Sequence, residues 1–289
     1  MMLLLESMRP KQWIKNCFVF SALIFSKSLF TPMMAWRVTA AFALFCLISG
    51  TVYIINDVFD IERDRLHPVK RERPIASGRL SARAAIGFST LVLMFVLAAS
   101  FVMDAAFGFL ILIYFLLNLA YSVKLKDVVL LDVFSIAAGF VIRVISGAVV
   151  IQVFISSWLV ICTILLALFL AFSKRRHELV VLEKLAGNHR SILSEYSTHF
   201  LDQMISVVTA STVVSYALYT MSEETVSKFN TQKLIYTVPF VLYGIFRYLY
   251  LVHQKSGGGN PSVHLMTDRP LIVTILMWIT VSSWIIYAR

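Results

Sequence analysis

Four oxygen-bearing side chains at helical spacing give the strongest chemical signal in this sequence. Asn56, Asp60 and Asp64 stand four residues apart, and Asp57 stands three residues before Asp60. On an α-helix these positions share one face, where the carboxylates repel one another. A cation should therefore lie among them, and hard oxygen ligands without His or Cys favour Mg2+. Because Mg2+ usually completes its shell with substrate phosphates, the motif predicts a Mg2+-bound diphosphate.

An alternative interpretation of this motif is a solvated helix end whose acids pair with Arg63 and Arg65. The motif directly follows the apolar residues 51–55, however, and charge at the edge of an apolar run is costly and usually functional. The expected metal ligands are Asn56, Asp57, Asp60 and Asp64, and the three aspartates are the expected catalytic residues.

A basic segment follows the acidic motif. It contains four candidate phosphate ligands, which are His67, Lys70, Arg71 and Arg73. Arginine can bind a phosphate with two parallel hydrogen bonds. A basic loop is also what membrane topology alone would supply, so the role of each individual cation stays open.

The composition indicates a membrane protein. Of its 289 residues, 59% are apolar and 15% are charged, which is far from the usage of a soluble domain. A bilayer core needs about 20 apolar residues per helix. Nine such runs are present, near 17–33, 36–58, 84–103, 105–121, 130–151, 155–173, 205–221, 234–252 and 271–288. The runs are continuous rather than alternating, so we predict an all-α polytopic bundle of nine transmembrane helices and no β-barrel.

The distribution of basic residues predicts the orientation of this bundle. Most of the 26 Lys and Arg residues lie in the N-terminal segment and in four loops, near 59–83, 122–129, 174–204 and 253–270. By the positive-inside rule these loops and the N-terminus are cytoplasmic. We therefore expect residues 1–289 to form one domain of the inner membrane, with its active-site loops on the cytoplasmic side.

The net charge of +10 would by itself suit anionic lipids or nucleic acid. Membrane topology accounts for much of it, so the expected partner is the lipid bilayer and not nucleic acid. Topology does not require the carboxylates that are mixed into the same loops. They suggest a site that combines a metal with phosphate groups.

The nine spans and the N-D-x-x-D-x-x-x-D motif after the second span resemble the UbiA superfamily of membrane prenyltransferases. That family carries a second Asp-rich motif after helix 6, and here the corresponding segment 173–184 reads SKRRHELVVLEK. This departure resembles the decaprenyl-phosphate phosphoribosyltransferase branch, in which a basic segment stands at this place. Segments 9–16, 67–78 and 121–126 are similar to the same branch.

The resemblance implies that 5-phosphoribosyl 1-diphosphate is the donor and a long-chain polyprenyl phosphate is the acceptor. Both substrates carry additional phosphate, and cations in place of a second acidic cluster would bind phosphate directly. The further substrate-binding residues that it suggests are Lys15, Tyr121, Lys124, Lys174, Arg175, Arg176 and Glu178. The lipid phosphate is already an anion, so it needs positioning more than it needs a general base.

Three further positions have open interpretations. Arg143 lies deep in a predicted span and should face the bundle, where it supports the phosphate cavity or forms a structural intramembrane pair. Glu195 and Asp202 flank the entry to the seventh span, and either one of them completes the metal site or both belong to a solvated helix end. The sequence is compatible with a homo-oligomer and does not specify the oligomeric state.

Other classes of function fit less well. A UbiA-type enzyme acting on an aromatic acceptor would share the first motif, but it predicts a second Asp-rich motif that the 173–184 segment lacks. A transporter would place its ionisable residues near the bilayer midplane, and here they concentrate at one face. A purely structural membrane scaffold would not explain why the acidic residues are clustered.

Overall fold

The chain is helical in the computed structural model, which describes residues 2–66, 69–183, 195–254 and 267–287. No β-strand occurs in that part of the chain. The α-helices in chain order are α1 (Met2–Ser7), α2 (Ser21–Phe25), α3 (Pro32–Phe59), α4 (Ile61–Arg65), α5 (Ala82–Met103), α6 (Ala105–Val123), α7 (Leu131–Val150), α8 (Ser157–Glu183), α9 (Thr198–Met221), α10 (Glu223–Phe229), α11 (Val238–Gln254) and α12 (Arg269–Tyr287). Within the described ranges four 3-10 helices accompany them, at Pro10–Phe20, Lys70–Glu72, Leu125–Asp127 and Lys233–Thr237.

Eight helices of the described ranges are long and apolar enough to cross a membrane. They are α3, α5, α6, α7, α8, α9, α11 together with the 3-10 turn before it, and α12. Each coincides with one of the predicted spans from the second to the ninth. Continuous apolar runs of this length satisfy their backbone hydrogen bonds internally only as helices, which is why the sequence predicts them well.

The first predicted span, 17–33, has a different structure. A 3-10 helix covers Pro10–Phe20 and passes into the short helix α2. The chain then leaves the helix at Ser26 and Lys27, where Lys27 has a left-handed backbone with φ 60°. A left-handed residue is a common way for a helix to end. The apolar run is therefore divided among the 3-10 helix, α2 and the first residues of α3.

The chain forms two compact units. The first contains Met1–Lys126 and Ile142–Phe154, and the second contains Asp127–Val141 and Ile155–Arg289. Helix α7 thus contributes its first half to the second unit and its second half to the first.

The core of the first unit supports the end of α3. Met8, Ile54, Ile75 and Ala85 are buried together, with Trp13 among the side chains packed against them. Ile75 lies in the loop after α4, so its burial holds that loop against α3 and α5. Burying a side chain of the size of Met8, Ile54 or Ile75 contributes roughly 1.5–3 kcal/mol. The loop that carries the predicted phosphate ligands is therefore anchored by apolar packing.

Hydrogen-bonded aromatic residues connect the helices of the second unit. The Tyr216 hydroxyl on α9 lies 2.7 Å from the Thr237 hydroxyl and accepts a 2.8 Å hydrogen bond from Trp278 Nε1 on α12. Phe169 on α8 contacts Tyr248 on α11 edge to face, with ring centroids 5.3 Å apart. The hydrogen bonds of Tyr216 are of the kind that a buried phenol usually makes, and together with this ring contact they link α8, α9, α11 and α12 within the unit.

Candidate active site

The acidic motif lies where α3 ends and α4 begins. Asn56 and Asp57 belong to the last turn of α3, and Asp60 is the junction residue. The Asp60 amide still donates to the Asn56 carbonyl, and the Asp64 amide donates to the Asp60 carbonyl at 2.7 Å. The helical hydrogen-bond pattern therefore continues across the junction. Asp57, Asp60 and Asp64 are only 2%, 8% and 3% exposed.

Each buried carboxylate of the motif pairs with a cation of the first unit. Arg73 bridges two of them, with its Nη1 atom 3.1 Å from Asp57 and 2.5 Å from Asp64. Arg9 donates a second bond to Asp57. The Lys126 amine lies 2.6 Å from Asp60, whose other oxygen accepts from the Asn56 amide at 3.1 Å. Buried charges require such partners.

The donor chemistry of this cluster fits Mg2+. In the part of the chain that the structure describes, no group of three or more His, Cys, Asp and Glu side chains is arranged as a metal cage. Mg2+ is commonly bound by one or two carboxylates together with water and substrate phosphates, rather than by an all-protein cage. Buried aspartate oxygens with a neighbouring amide are sufficient for that kind of site.

A second polar group of the first unit surrounds Lys15 and Arg143. The Arg143 guanidinium donates to Asn16 Oδ1 at 2.8 Å and to the Tyr114 hydroxyl at 2.7 Å, and it lies over the Tyr114 ring. Arg143 is 6% exposed. These two neutral partners orient the guanidinium.

The amine of Lys15 lies in a positive electrostatic environment. Burial, together with the charges of Arg143 and Arg9, lowers the pKa of Lys15 to about 8, whereas Tyr121 acts in the opposite direction. Positive neighbours that disfavour a charged amine would equally favour a bound anion. This arrangement suits a phosphate group.

The loop after α4 places its cations in different surroundings. Arg73 is turned into the acidic cluster, whereas Arg71 is exposed and lies 3.5 Å from the exposed Glu72. Lys70 is half-buried. His67 lies outside the described residues. Gly78, with φ 78°, closes the turn that follows, in a conformation that favours glycine.

The segment after α6 brings a different lysine to the cluster than the sequence suggests. Lys124 is exposed at the end of α6, and Tyr121 is half-buried. The 3-10 turn Leu125–Asp127 instead buries Lys126, which is 3% exposed, against Asp60.

The basic segment of the second unit lies on α8, and its three consecutive cations point in different directions. Arg175 is 1% exposed and donates to Asp132 at 2.6 Å and to Glu178. Lys174 is partly exposed and lies 3.7 Å from Glu178. Successive residues of a helix are rotated by about 100°, which separates them. Asp132 also accepts a 2.8 Å hydrogen bond from the Tyr196 hydroxyl.

Arg176 contacts an acid on the next helix. Its Nε atom donates to Asp202 Oδ1 at 2.5 Å, and the same oxygen lies 3.2 Å from Nε2 of His253 on α11. Asp202 is thus engaged by two basic side chains of its own unit. Glu195 is exposed.

Sequence reasoning missed two side chains that contact the acidic motif, Arg9 and Lys126. Both lie in the segments 9–16 and 121–126 that carry the family resemblance, and this was the available signal. Their spacing from the acids, 48 residues for Arg9 and 66 residues for Lys126, exceeds any helical period. Sequence reasoning also did not identify Asn16 and Tyr114, which orient Arg143.

The profile of the UbiA prenyltransferase family matches residues 17–267. The chain belongs to this family. Among its curated relatives, the decaprenyl-phosphate phosphoribosyltransferase of Mycolicibacterium smegmatis is 31% identical, covering 98% of this chain and 92% of the relative. The enzyme of the same name from Corynebacterium glutamicum is 30% identical, covering 96% of this chain and 84% of the relative.

Solved structures of the family share the fold. A UbiA homolog from Archaeoglobus fulgidus, bound to GPP and Mg2+, superimposes with a TM-score of 0.73 at 17% identity, covering 98% of this chain and 99% of that one. At this identity the likeness shows the fold alone. It assigns the helical architecture described above to the UbiA family.

Proposed function

We propose that this chain transfers the 5-phosphoribosyl group from 5-phosphoribosyl 1-diphosphate to a long-chain polyprenyl phosphate and releases diphosphate. The observation that carries this proposal is the near-full-length similarity, at 31% and 30% identity, to two decaprenyl-phosphate phosphoribosyltransferases. The buried acidic cluster with its basic partners provides a site of matching chemistry. The product would be a polyprenyl-phosphoryl 5-phosphoribose for synthesis of cell-envelope precursors.

The acidic cluster is the proposed binding site for the donor diphosphate. The residues that would hold Mg2+ are Asn56, Asp57, Asp60 and Asp64. When bound, the ion supplies positive charge that stabilises the departing diphosphate. Arg73 and Arg9 already lie against the carboxylates, so they can donate hydrogen bonds to diphosphate oxygens beside them. Charged hydrogen bonds of this kind are about twice as strong as neutral ones.

The Lys15 and Arg143 group is the proposed site for a further phosphate of the substrates. Asn16 and Tyr114 hold the Arg143 guanidinium in one direction. This side chain is therefore already ordered, which reduces the entropic cost of binding an anion there. Lys70, Arg71, Tyr121, Lys124 and His67 remain proposed as additional phosphate contacts.

In the second unit, Lys174 and Arg176 are the proposed contacts for the acceptor phosphate. Arg175 is almost fully buried and engaged by Asp132 and Glu178. We therefore assign Arg175 and Glu178 a positioning role, in which their ion pair fixes the conformation of the basic segment on α8. The lipid phosphate is the nucleophile, and because it is already ionised the chain needs only to orient it.

A nine-span topology with a cytoplasmic N-terminus, in the inner membrane, is part of the proposal. Its first span is the apolar run near 17–33, which begins in the 3-10 helix and continues through α2. Lys15 and the basic residues before it then lie outside the membrane-spanning segments.

A transfer assay tests the proposed function. Purified protein with Mg2+ is given labelled 5-phosphoribosyl 1-diphosphate and a polyprenyl phosphate, and in parallel a prenyl diphosphate and an aromatic acid. We expect labelled lipid product only from the first mixture, and EDTA should abolish it. Transfer only in the second mixture would contradict the proposal and favour an aromatic prenyltransferase.

A further inference from the structure

Two consecutive residues before the first 3-10 helix connect the apolar core of the first unit to the acidic cluster. Met8 is 4% exposed and is buried together with Ile54 of α3 and Ile75 of the loop after α4. The next residue, Arg9, donates a hydrogen bond to Asp57. The packing of one side chain is therefore linked directly to the placement of the other.

Met8 occupies a hollow that exists because residue 50 of α3 is glycine. A Cβ atom on Gly50 would lie 2.6 Å from Met8 Cε and 2.9 Å from Met8 Cβ. The second of these atoms is attached to the backbone, so the N-terminal segment itself would have to move. Gly50, Ile54 and Asp57 stand at positions i, i+4 and i+7 of α3 and share one face. The hollow therefore holds the segment about two helical turns from the carboxylate that Arg9 contacts.

Arg9 has an unusual backbone conformation. Its φ and ψ angles are 53° and 65°, in the left-handed region that a residue with a side chain seldom adopts. Arg9 joins α1 to the 3-10 helix that begins at Pro10. At this turn the Met8 side chain enters the core and the Arg9 side chain faces Asp57. Strained backbone persists only where the surrounding structure holds it, and it is concentrated at functional sites.

An aromatic ring also restrains the Arg9 guanidinium. Its Cζ atom lies 4.9 Å from the centre of the Tyr53 ring, within the range of a cation–π contact. Tyr53 lies one helical turn before Asp57 on α3. A guanidinium carries five N–H donors, and 27% of the Arg9 side chain is exposed. Part of the group is therefore open to an anion, while its direction is fixed by the protein.

We infer that Met8 is a positioning residue for Arg9: by filling the hollow at Gly50, it holds the guanidinium where the donor diphosphate binds. The inference rests on the proposed function for the identity of that anion. Burial of Met8 orders the segment before the donor arrives, so diphosphate binding does not bear the cost of ordering it. A residue that acts in this way changes the affinity for diphosphate through Arg9 and through no other group.

A double-mutant cycle of Met8 and Arg9 tests this dependence. The probe is inorganic diphosphate with Mg2+, and its Kd for the purified protein in lipid nanodiscs is measured by calorimetry, which requires no turnover. Arg9→Gln removes a charged hydrogen-bond donor and should weaken diphosphate binding about tenfold. Met8→Ala should weaken it about fivefold when Arg9 is present, and it should have no further effect in the Arg9→Gln background.

Matched variants separate positioning from a general loss of stability. Met8→Leu keeps an apolar side chain of similar volume in the hollow and should bind diphosphate like the wild type. Leu5→Ala shortens a residue of the same segment that is 54% exposed, and it should also leave the Kd unchanged. Thermal unfolding is measured for every variant. If Met8→Ala does not yield folded protein, Gly50→Ala displaces Met8 from the opposite side and replaces it in the cycle.

Kinetics provide a second readout. In the transfer assay, Met8→Ala should raise the KM for 5-phosphoribosyl 1-diphosphate about fivefold, while the KM for the polyprenyl phosphate stays unchanged. A general loss of folded protein would lower the apparent turnover number and leave both KM values as they are.

The inference fails if Met8→Ala or Arg9→Gln binds diphosphate like the wild type, or if Met8→Ala weakens binding equally with and without Arg9. A wild-type protein that shows the expected coupling but transfers no phosphoribosyl group would refute the proposed function and not the inference. A protein that transfers the group, with independent effects of the two substitutions, would refute the inference alone. Failure of the wild type to bind diphosphate with Mg2+ would overturn both.

Discussion

At the scale of single residues, the acidic motif differs from an ordinary charged helix end because its carboxylates are buried and paired. Glu62 lies in the same stretch of chain, yet its side chain is 85% exposed and pairs with Arg65 at the surface. Exposed pairs of this kind contribute at most about 1 kcal/mol. The comparison separates Asp57, Asp60 and Asp64 from the acids around them.

Asp60 gives the sharpest test of the metal site. Asp60→Asn removes one carboxylate charge at nearly constant shape, and we expect the turnover number to fall at least about a hundredfold because a metal-held diphosphate loses several kcal/mol of stabilisation. Phosphoribosyl transfer is measured over a Mg2+ titration, with thermal unfolding in parallel because Lys126 loses its partner. Glu62→Gln makes the same change in charge at the surface and should retain wild-type turnover. Wild-type turnover in Asp60→Asn would disprove the catalytic role of this carboxylate.

The lowered pKa of Lys15 predicts that donor binding depends on pH. Its pKa of about 8 means that the amine is charged below this pH and neutral above it, so donor binding should weaken as pH rises through about 8. The phosphates of the donor complete their ionisation near pH 6, below this range. We expect kcat/KM for the donor to decline above about pH 8 in the wild type, and Lys15→Arg, which stays charged, to remove the decline. A profile in which both proteins decline alike would assign the titration to another group.

At the scale of elements, Gly147 determines how closely α7 approaches the N-terminal 3-10 helix. A Cβ atom on Gly147 would lie 2.0 Å from the Val19 carbonyl oxygen, a separation that two atoms cannot adopt. Gly147 is one turn from Arg143 on the same side of α7. The close approach therefore also brings Arg143 to Asn16, which lies on that 3-10 helix.

Gly147→Ala should destabilise the protein, since the obstacle is backbone that cannot rotate away. Overpacking of this kind costs roughly 1–3 kcal/mol, seen as a lower Tm in detergent, and it should also reduce activity by displacing Arg143. Gly87→Ala on α5 is the matched control, because a Cβ there meets nothing within 4 Å and alanine favours a helix by about 1 kcal/mol. Equal Tm values for the two variants would contradict the close contact.

The helices also show which structural features the sequence patterns could predict and which they could not. Eight spans were predictable since an apolar run of about 20 residues has one stable form in lipid. The run 17–33 was divided at Ser26, Lys27 and Ser28. This short polar stretch interrupts the helix although the average hydropathy of the run is high. The choice between Lys124 and Lys126 depended on a single 3-10 turn, which the spacing of charges cannot predict.

At the scale of the whole molecule, the orientation in the membrane can be tested with single cysteines. Cys17, Cys46 and Cys162 are first replaced by alanine. Glu72→Cys lies in a loop expected to be cytoplasmic, and Lys228→Cys lies in a segment expected on the opposite side; both positions are exposed. A membrane-impermeant maleimide should label Lys228→Cys in intact cells and Glu72→Cys only in inverted vesicles, and the reverse pattern would overturn the orientation.

The sequence by itself determined the membrane class, eight of the helices and the acidic motif, because apolar length and helical periodicity are local properties. The tertiary structure alone decided which cations neutralise the acids. Arg9 and Lys126 reach Asp57 and Asp60 from 48 and 66 residues away, and burial of the carboxylates makes such pairing necessary. It likewise decided that Arg175 is enclosed by Asp132 and Glu178, since a run of cations in a sequence does not reveal which of them faces the interior.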